Sequence, residues 1–341
     1  MKDLRVGVVG LGRLGYTHAV NLAHSVPRAV LAAVCDVDDN RRHEVGARLG
    51  CASYADTEEM LGEAALDAVV VATPSAYHAE PVLQVVGAGL PLFCEKPLAS
   101  TLADNERLAA AIREAGVLCQ IGFNRRFDPE YAEARERIAA GDIGRPVYCY
   151  SITRDPFPPP AWACDPARGG GLFIDMQLHD YDVTRFLLGS EPARVHAEES
   201  ALVVDGGDVD RFADNVTTSL RFAGGELALL HASMHAAYGY DVYTEVYGES
   251  GSIRIGGPEK SRLQVATGRT GLCRPQTYLG DEGLPHFIRR FERSYIGELA
   301  AFCAAVLDGG DSPVTADDGV AAFRVAATAI ESAGSGRALD I

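Results

Sequence analysis

The sequence lacks the cysteine and hydrophobic patterns of several protein classes. Its 8 cysteines are scattered over 341 residues, without a Cys-x-x-Cys pair and without clustering near histidine. Reduced thiols in a cytoplasmic protein explain this pattern better than a disulfide framework or a zinc site. The first residues do not resemble a signal peptide, and no run of about 18 apolar residues predicts a membrane span. We therefore expect a cytoplasmic location and no metal.

Positive charge is also scarce. The 31 Lys and Arg residues face 47 Asp and Glu residues, for a formal net charge of −16. Phosphate backbones and anionic membrane surfaces would repel such a chain, so we expect neither nucleic acid nor membrane as a partner. The charge offers no long-range attraction to an anionic substrate, which favours a small neutral one.

The length and the alternation of apolar runs predict two domains. In residues 1–122, strands such as Val30–Cys35 and Ala68–Ala72 alternate with helical stretches. This alternation is typical of an α/β Rossmann domain with a doubly wound parallel sheet. In residues 123–341, helices flank several alternating strand runs between 191 and 270. They predict an α+β domain with a large open, mostly antiparallel sheet. In one arrangement that the sequence leaves open, the C-terminal helix of this domain packs back on the first domain.

A glycine-rich motif, Gly10-Leu11-Gly12-Arg13-Leu14-Gly15, stands between the first strand and the first helix. In this G-x-G-x-x-G pattern Gly10 permits a tight turn, Gly12 lets the backbone approach a pyrophosphate, and Gly15 allows close helix–strand packing. The helix N-terminus adds free N–H donors. We therefore expect Gly10, Gly12, Arg13, Leu14 and Gly15 to bind a dinucleotide.

Two further strand ends point to the same ligand. Asp36 ends the second strand about 20 residues beyond the last glycine, where a carboxylate accepts the ribose hydroxyls of NAD and repels the 2′-phosphate of NADP. The alternative is a solvated strand-end residue. Thr73 and Pro74 follow the third predicted strand, with His78 shortly after. Ligands lie at the carboxyl ends of such strands, so these residues are expected to line the cofactor. His78 alone is more often a surface residue at a helix start.

Three more segments carry a family resemblance. They are Phe93-Cys94-Glu95-Lys96-Pro97, the run from Gly122 to Asp128, and the run from Gly169 to Asp180. In this order, behind the glycine motif, they resemble the Gfo/Idh/MocA oxidoreductase family over nearly the whole chain. Within it, the runs 124–128, 154–156 and 238–241 are most similar to inositol (myo-inositol 2-) dehydrogenases. Residues 257–287 match no motif.

The resemblance implies an activity and an assembly. The expected reaction is NAD-dependent oxidation of a secondary hydroxyl of a cyclitol, myo- or scyllo-inositol, to the ketone, with hydride passing to the nicotinamide. Glu95 and Lys96 are expected beside the cofactor, and the substrate in a cleft between the domains. The open sheet of the second domain is expected to form the interface of a homotetramer.

A catalytic set follows from the chemistry together with the resemblance. Oxidising an alcohol needs a base with a pKa near the working pH, which suits His179. Asp175 stands four residues earlier, so on one helix both would share a face, and a carboxylate there would stabilise the imidazolium. The resemblance adds Lys96, whose ammonium would stabilise developing alkoxide. A lone Asp/His pair is more often a surface pair, and Asp180 and Asp182 are expected to point elsewhere.

The substrate contacts are chosen for their ability to bond hydroxyl groups. Arg125 and Arg154 could equally be structural ion-pair partners. The proline-rich loop 156–160 with Trp162 either walls the cleft or covers the sheet edge. The candidate substrate residues are Lys96, Asn124, Arg125, Arg154, Asp155, Asp175, His179 and Tyr240.

Two alternatives stay open at this point. The first is an aldose or other sugar dehydrogenase, or a reductase, of the same family, because ring stereochemistry is read by loop geometry. The second is a nucleotide or sugar sensor that kept the fold and lost the chemistry, since fold does not imply function. Retention of Lys96, Asp175 and His179 argues against the sensor.

Overall fold

The computed structural model describes residues 3–156, 170–203, 213–256 and 286–341. The loop 157–160, Trp162, Gly169 and nearly all of the unmatched segment 257–287 therefore lie outside the described residues. The chain forms two compact units. The first contains Met1–Phe127 and Arg293–Ala321, and the second contains Asp128–Glu292 and Ala322–Ile341. Residues 293–321, which we placed in the second domain, belong to the first unit.

The first unit contains a six-stranded sheet in which every pairing is parallel. Its strand order is β3-β2-β1-β4-β5-β6. Successive strands are added on one side of β1 up to β3 and then on its other side from β4 onward, which confirms the predicted doubly wound Rossmann architecture. The strands are β1 (Leu4–Val9), β2 (Ala29–Cys35), β3 (Ala52–Tyr54), β4 (Ala68–Val71), β5 (Leu92–Glu95) and β6 (Cys119–Gly122).

The second unit contains a seven-stranded sheet of order β12-β11-β7-β10-β9-β8-β13. Only the β7–β10 pairing is parallel among those described, which confirms the mostly antiparallel prediction. Buried and exposed residues alternate along β9, as expected where one face is covered. The strands are β7 (Pro146–Arg154), β8 (Pro192–Ser200), β9 (Asn215–Phe222), β10 (Leu227–Ser233), β11 (Asp241–Gly248), β12 (Ser252–Gly256) and β13 (Leu339–Asp340).

The helices begin and end largely where capping residues stand. Thr101 accepts the backbone N–H of Asp104 at one start, and Gly116 is left-handed at the end of the same helix. The helices are α1 (Arg13–His24), α2 (Asp39–Leu49), α3 (Thr57–Glu63), α4 (Ala79–Gly87), α5 (Leu102–Ala115), α6 (Pro129–Ala140), α7 (Gly171–Asp175), α8 (Gln177–Leu188), α9 (His286–Arg290), α10 (Glu292–Asp308) and α11 (Ala316–Ser335).

Several elements differ from the sequence prediction. The short β3 and α3 were not predicted, because three and seven residues are too few to establish a hydrophobic period. The expectation that one helix carries both Asp175 and His179 is wrong, since Met176 separates α7 from α8. No helix of the described ranges combines the length and apolar character needed to cross a membrane.

The core of the first unit joins elements that are far apart in the chain. Val6 and Val8 of β1 and Phe93 of β5 lie in one buried cluster with Leu299 and Phe302 of α10. Residues near the C-terminal end of the chain therefore complete the Rossmann core, which explains why α10 belongs to the first unit.

Candidate active site

The glycine motif adopts the geometry that its spacing predicts. Gly10 has a φ of +86°, and a Cβ there would lie 2.7 Å from the backbone nitrogen of Thr73. A Cβ on Gly15 would lie 1.8 Å from the carbonyl oxygen of Gly10, so both positions require glycine. Around Gly12, a Cβ would meet no described atom within 4 Å. The loop is thus tight on its inner side and open at the N-terminus of α1, where Arg13 and Leu14 begin the helix. A pyrophosphate fits this opening.

Asp36 is held beside this loop. Its carboxylate accepts the backbone N–H of Leu11 at 2.6 Å and that of Asp38 at 2.9 Å, and the residue is only 9% exposed. Arg41 of α2 approaches to 3.9 Å. Asp36 is therefore an oriented carboxylate at the end of β2, not a freely solvated side chain, and its position suits an adenosine ribose.

His78 connects two turns at the carboxyl edge of the sheet. Its Nδ1 lies 2.8 Å from the carbonyl oxygen of Pro97, and its Nε2 lies 2.7 Å from that of Thr73. The ring is fully buried, so the surface alternative is wrong. Burial lowers the pKa of His78 although the two carbonyls act to raise it. Thr73 is half-buried and Pro74 exposed, so these two residues present the turn outward.

Lys96 follows β5 at the same edge and is half-buried. Its backbone N–H donates to Oε2 of Glu95 at 3.1 Å. The other oxygen of Glu95 lies 2.7 Å from Nε2 of His18, and Glu95 is 5% exposed. Glu95 therefore turns inward and pairs with a base.

Asn124 and Arg125 lie in a short 3₁₀ helix after β6, and each is only 2% exposed. Among the described residues, Oδ1 of Asn124 has no hydrogen-bond partner although it is buried. The next residue, Arg126, pairs with Asp318 at 3.0 Å. A buried acceptor without a partner costs free energy, so Asn124 is a suitable place for a ligand hydroxyl or amide to donate.

Asp175 and His179 lie on either side of the helix break. Asp175 is the last residue of α7, and the backbone N–H of His179 donates to the carbonyl of Met176 at 3.3 Å. Both side chains are half-buried. Before them, Gly170 and Gly171 have φ values of +74° and +64°, which non-glycine residues adopt rarely. Lys96 belongs to the first unit, whereas Asp175 and His179 belong to the second.

Asp180 anchors the helix that carries His179. It is fully buried, and its carboxylate accepts the hydroxyl of Ser151 at 2.7 Å and that of Thr153 at 2.9 Å. Ser151 and Thr153 both belong to β7, so the bonds tie α8 to the sheet. Asp182 is equally buried and lies 3.7 Å from Arg185. Both aspartates therefore face the interior.

Arg154 belongs to a polar cluster at the end of β7. Its Nη1 donates to the Tyr238 hydroxyl at 3.0 Å and to Asp241 at 3.4 Å. Arg154 is therefore an ion-pair partner, which is one of the two roles that the sequence left open for it. Its Nε donates to Nδ1 of His231 at 3.2 Å. That bond needs a neutral Nδ1, and burial and the Arg154 charge lower the pKa of His231 accordingly. The side chain of Arg154 remains 29% exposed, so it can also reach a ligand.

Sequence reasoning missed His231 because a lone histidine in a strand gives no local signal. The parallel register of β7 and β10 pairs His231 with Ile152, two residues before Arg154, and so brings it within hydrogen-bond reach of Arg154. The neighbouring Asp155 donates its backbone N–H to the carbonyl of Ser233 at 2.8 Å. Tyr240 lies edge-on to Phe291, with ring centroids 6.5 Å apart. These candidates thus share one end of the second sheet.

Comparison with known families agrees with this geometry. Residues 4–123 match the oxidoreductase family with an NAD-binding Rossmann fold, and residues 131–254 match the GFO/IDH/MocA C-terminal domain. The chain therefore belongs to the Gfo/Idh/MocA oxidoreductase family. The predicted family, the class of NAD-dependent oxidoreductases and the NAD cofactor are confirmed.

Known relatives cover nearly the full chain. It is 36% identical over 344 residues to scyllo-inositol 2-dehydrogenase (NAD(+)) of Bacillus subtilis, covering 99% of this chain and 96% of the relative. It is 36% identical over 322 residues to myo-inositol 2-dehydrogenase of Thermotoga maritima, with 93% and 92% covered. The crystal structure of scyllo-inositol dehydrogenase from Lactobacillus casei with NAD(H) and scyllo-inositol superposes with a TM-score of 0.85 at 29% identity, covering 99% of each chain.

Proposed function

We propose that this protein oxidises a secondary hydroxyl of a cyclitol, either myo- or scyllo-inositol, to the corresponding ketone. The observation that carries the proposal is the similarity, at 36% identity over nearly the whole chain, to dehydrogenases named for each of these two isomers. The negative formal charge, which does not attract anions, is consistent with a neutral polyol.

NAD, when bound, supplies the hydride acceptor at its nicotinamide C4. The open N-terminus of α1 at Gly12 holds the pyrophosphate in this proposal. Asp36 binds the adenosine ribose, and Thr73, Pro74 and Lys96 line the carboxyl edge of the sheet. Glu95 and His78, which face the interior, support this edge from behind.

His179 acts as the general base, and its imidazole takes the proton from the reacting hydroxyl. Asp175 stabilises the imidazolium that results, because an opposite charge nearby favours the charged form. The Lys96 ammonium donates to the same oxygen as negative charge develops there. In the reverse direction these groups polarise the ketone and return the proton, so the arrangement serves both directions.

The remaining hydroxyls of the ring need partners of their own. Asn124 offers a buried acceptor, and Arg154 offers a guanidinium whose orientation is set by Tyr238 and Asp241. Arg125, Asp155 and Tyr240 complete the proposed set. A site that bonds many hydroxyls rejects analogues that lack one, because the protein group is then left without a partner.

A sugar dehydrogenase or reductase of the same family, and a sensor without turnover, are the competing functions. The sensor is disfavoured because the chain retains Lys96, Asp175 and His179. The homotetramer, the cytoplasmic location and the absence of nucleic-acid or membrane partners stay predictions.

The deciding experiment is NADH formation from NAD, and separately NADPH formation from NADP, on a panel of myo-, scyllo- and chiro-inositol, glucose, xylose and galactose. We expect the largest kcat/KM for an inositol with NAD. A larger kcat/KM for an aldose would contradict the cyclitol proposal. NADH binding without turnover of any panel member would support the sensor.

A further inference from the structure

Three buried titratable side chains meet inside the first unit. His18 of α1, Glu95 of β5 and Glu298 of α10 each offer one nitrogen or oxygen atom, and these atoms lie within 4.8 Å of one another. His18 and Glu298 are fully buried, and Glu95 is nearly so. Sequence reasoning did not single out His18 or Glu298.

Glu298 is the unusual member of this group. Neither of its carboxyl oxygens has a hydrogen-bond partner among the described residues, although both are buried. Gln120 of β6 donates to its backbone carbonyl at 2.8 Å and not to the side chain. If Glu298 were ionised, a second negative charge would stand beside Glu95 away from water, and an unpaired buried charge is very costly.

The other two side chains show where the protons and charges lie. Nε2 of His18 is 2.7 Å from Glu95, whereas its buried Nδ1 has no partner among the described residues. A proton on Nε2 lets His18 donate to the Glu95 carboxylate at this distance. Glu95 then accepts from both His18 and the backbone of Lys96, as a carboxylate does.

A divalent metal explains these contacts less well than a proton does. The His18 nitrogen nearest the carboxylates is engaged with Glu95 at hydrogen-bond distance, so its lone pair is not available to a metal. The cluster supplies three candidate ligands, which is fewer than the about four of a closed structural zinc site and the about six that harder cations take. Aromatic rings of Phe93 and Tyr295 pack edge-on against His18.

We propose that Glu298 holds one buried proton and acts as a positioning residue for Lys96 through Glu95. The carboxyl of Glu298, one of whose oxygens lies within 4.8 Å of the His18 and Glu95 atoms, adds no second charge there, so that one Glu95 oxygen stays on His18 and the other on the Lys96 backbone. Burial and the neighbouring Glu95 raise the pKa of Glu298 well above its usual range. The titratable groups that face it are Glu95 from β5 and His18 from α1. The role of Lys96 rests on the proposed function, whereas the proton does not.

The proton can be observed directly. Infrared spectra of the full-length protein at neutral pH should contain the carbonyl-stretching band of a protonated carboxyl, which shifts in D₂O. The band should disappear in Glu298→Gln and persist in Glu292→Gln, which removes an exposed carboxylate from the same helix. Identical spectra for wild type and Glu298→Gln would overturn the proposal. So would a stoichiometric metal in the purified protein that is lost in Glu298→Gln.

The pH dependence of unfolding gives a second, independent readout. Between the unfolded pKa of about 4.3 and the higher native pKa, the native state binds one proton more than the unfolded state. The unfolding constant of the wild type should therefore rise about tenfold per pH unit relative to that of Glu298→Gln. Glu292→Gln should show no such trend. A difference between wild type and Glu298→Gln that does not change with pH would mean that Glu298 is ionised in the fold.

The positioning role is tested with the inositol that the enzyme turns over best. Glu298→Ala should lower kcat by about 10- to 100-fold through displacement of Lys96, with little change in the KM for NAD. Glu298→Gln keeps a neutral donor of the same size and should restore most of the rate. Failure of Gln to rescue would overturn the positioning role. If no polyol is oxidised, the proposed function fails, while the infrared and unfolding results still decide whether Glu298 holds a proton.

Discussion

The carboxylate of Asp36 accepts the backbone N–H of Leu11 at 2.6 Å. This bond links the end of β2 to the glycine loop, so the residue that is expected to recognise the ribose also holds the loop that is expected to bind the pyrophosphate. We therefore expect cofactor preference and loop geometry to be coupled in this protein.

Asp36→Arg should raise the kcat/KM with NADP relative to that with NAD. The substitution replaces a carboxylate, which repels the 2′-phosphate, with a guanidinium, which attracts it. It should also lower the free energy of unfolding by about 1–3 kcal/mol, since the Leu11 N–H loses its acceptor. Steady-state kinetics with both cofactors and urea unfolding measure the two effects. Asp39→Asn, at an exposed site on α2, is the control. An unchanged cofactor ratio would remove Asp36 from ribose recognition.

His179→Ala should lower kcat by about 10²–10⁴-fold, because the reacting hydroxyl loses its base. NADH binding, followed by fluorescence titration, should survive, since His179 lies outside the glycine loop. His43→Ala, at an exposed position on α2, serves as the matched control and should keep the wild-type rate. Near-normal turnover by the His179 variant would exclude it from the mechanism.

Asp180→Ala should destabilise the protein by about 2–4 kcal/mol. The substitution leaves the buried hydroxyls of Ser151 and Thr153 without their common acceptor, and burial makes this costly. Urea unfolding measures the loss, and Asp340→Ala, at an exposed strand position, is the control. If the stability is unchanged but the activity is lost, Asp180 would have a direct chemical role.

Asp318→Asn should reduce stability in a pH-dependent way. Burial acts to raise the pKa of Asp318. Arg126 and the Thr315 backbone and hydroxyl lower this pKa by more than burial raises it, so the net pKa is below the usual range. A depressed native pKa stabilises the fold above the unfolded value of about 3.9, and this contribution disappears as pH falls through the native pKa. Urea midpoints of wild type and variant should therefore differ near neutral pH and converge in acid. A constant difference would show that the Asp318 charge is not responsible.

Much of the first unit could be predicted from local sequence patterns. The ends of α2 and α5 are marked in the sequence itself, because a cap residue precedes each helix and a left-handed glycine follows it. Gly10 and Gly15 could be recognised because their steric requirement is local, between a strand and the helix that follows it. Short elements such as β3 carry no period, so they were missed.

The sequence by itself determined the family, the two architectures, the NAD cofactor and the identity of the candidate catalytic residues, because these depend on short motifs and their order. Only the tertiary structure decided that Glu95 turns inward to His18, that Glu298 lies beside them, and that Asp180 anchors α8 to β7. The reason is physical. Burial and hydrogen bonding between residues far apart in the chain depend on how strands and helices pack, and packing leaves no periodic signal in the sequence around any one of them.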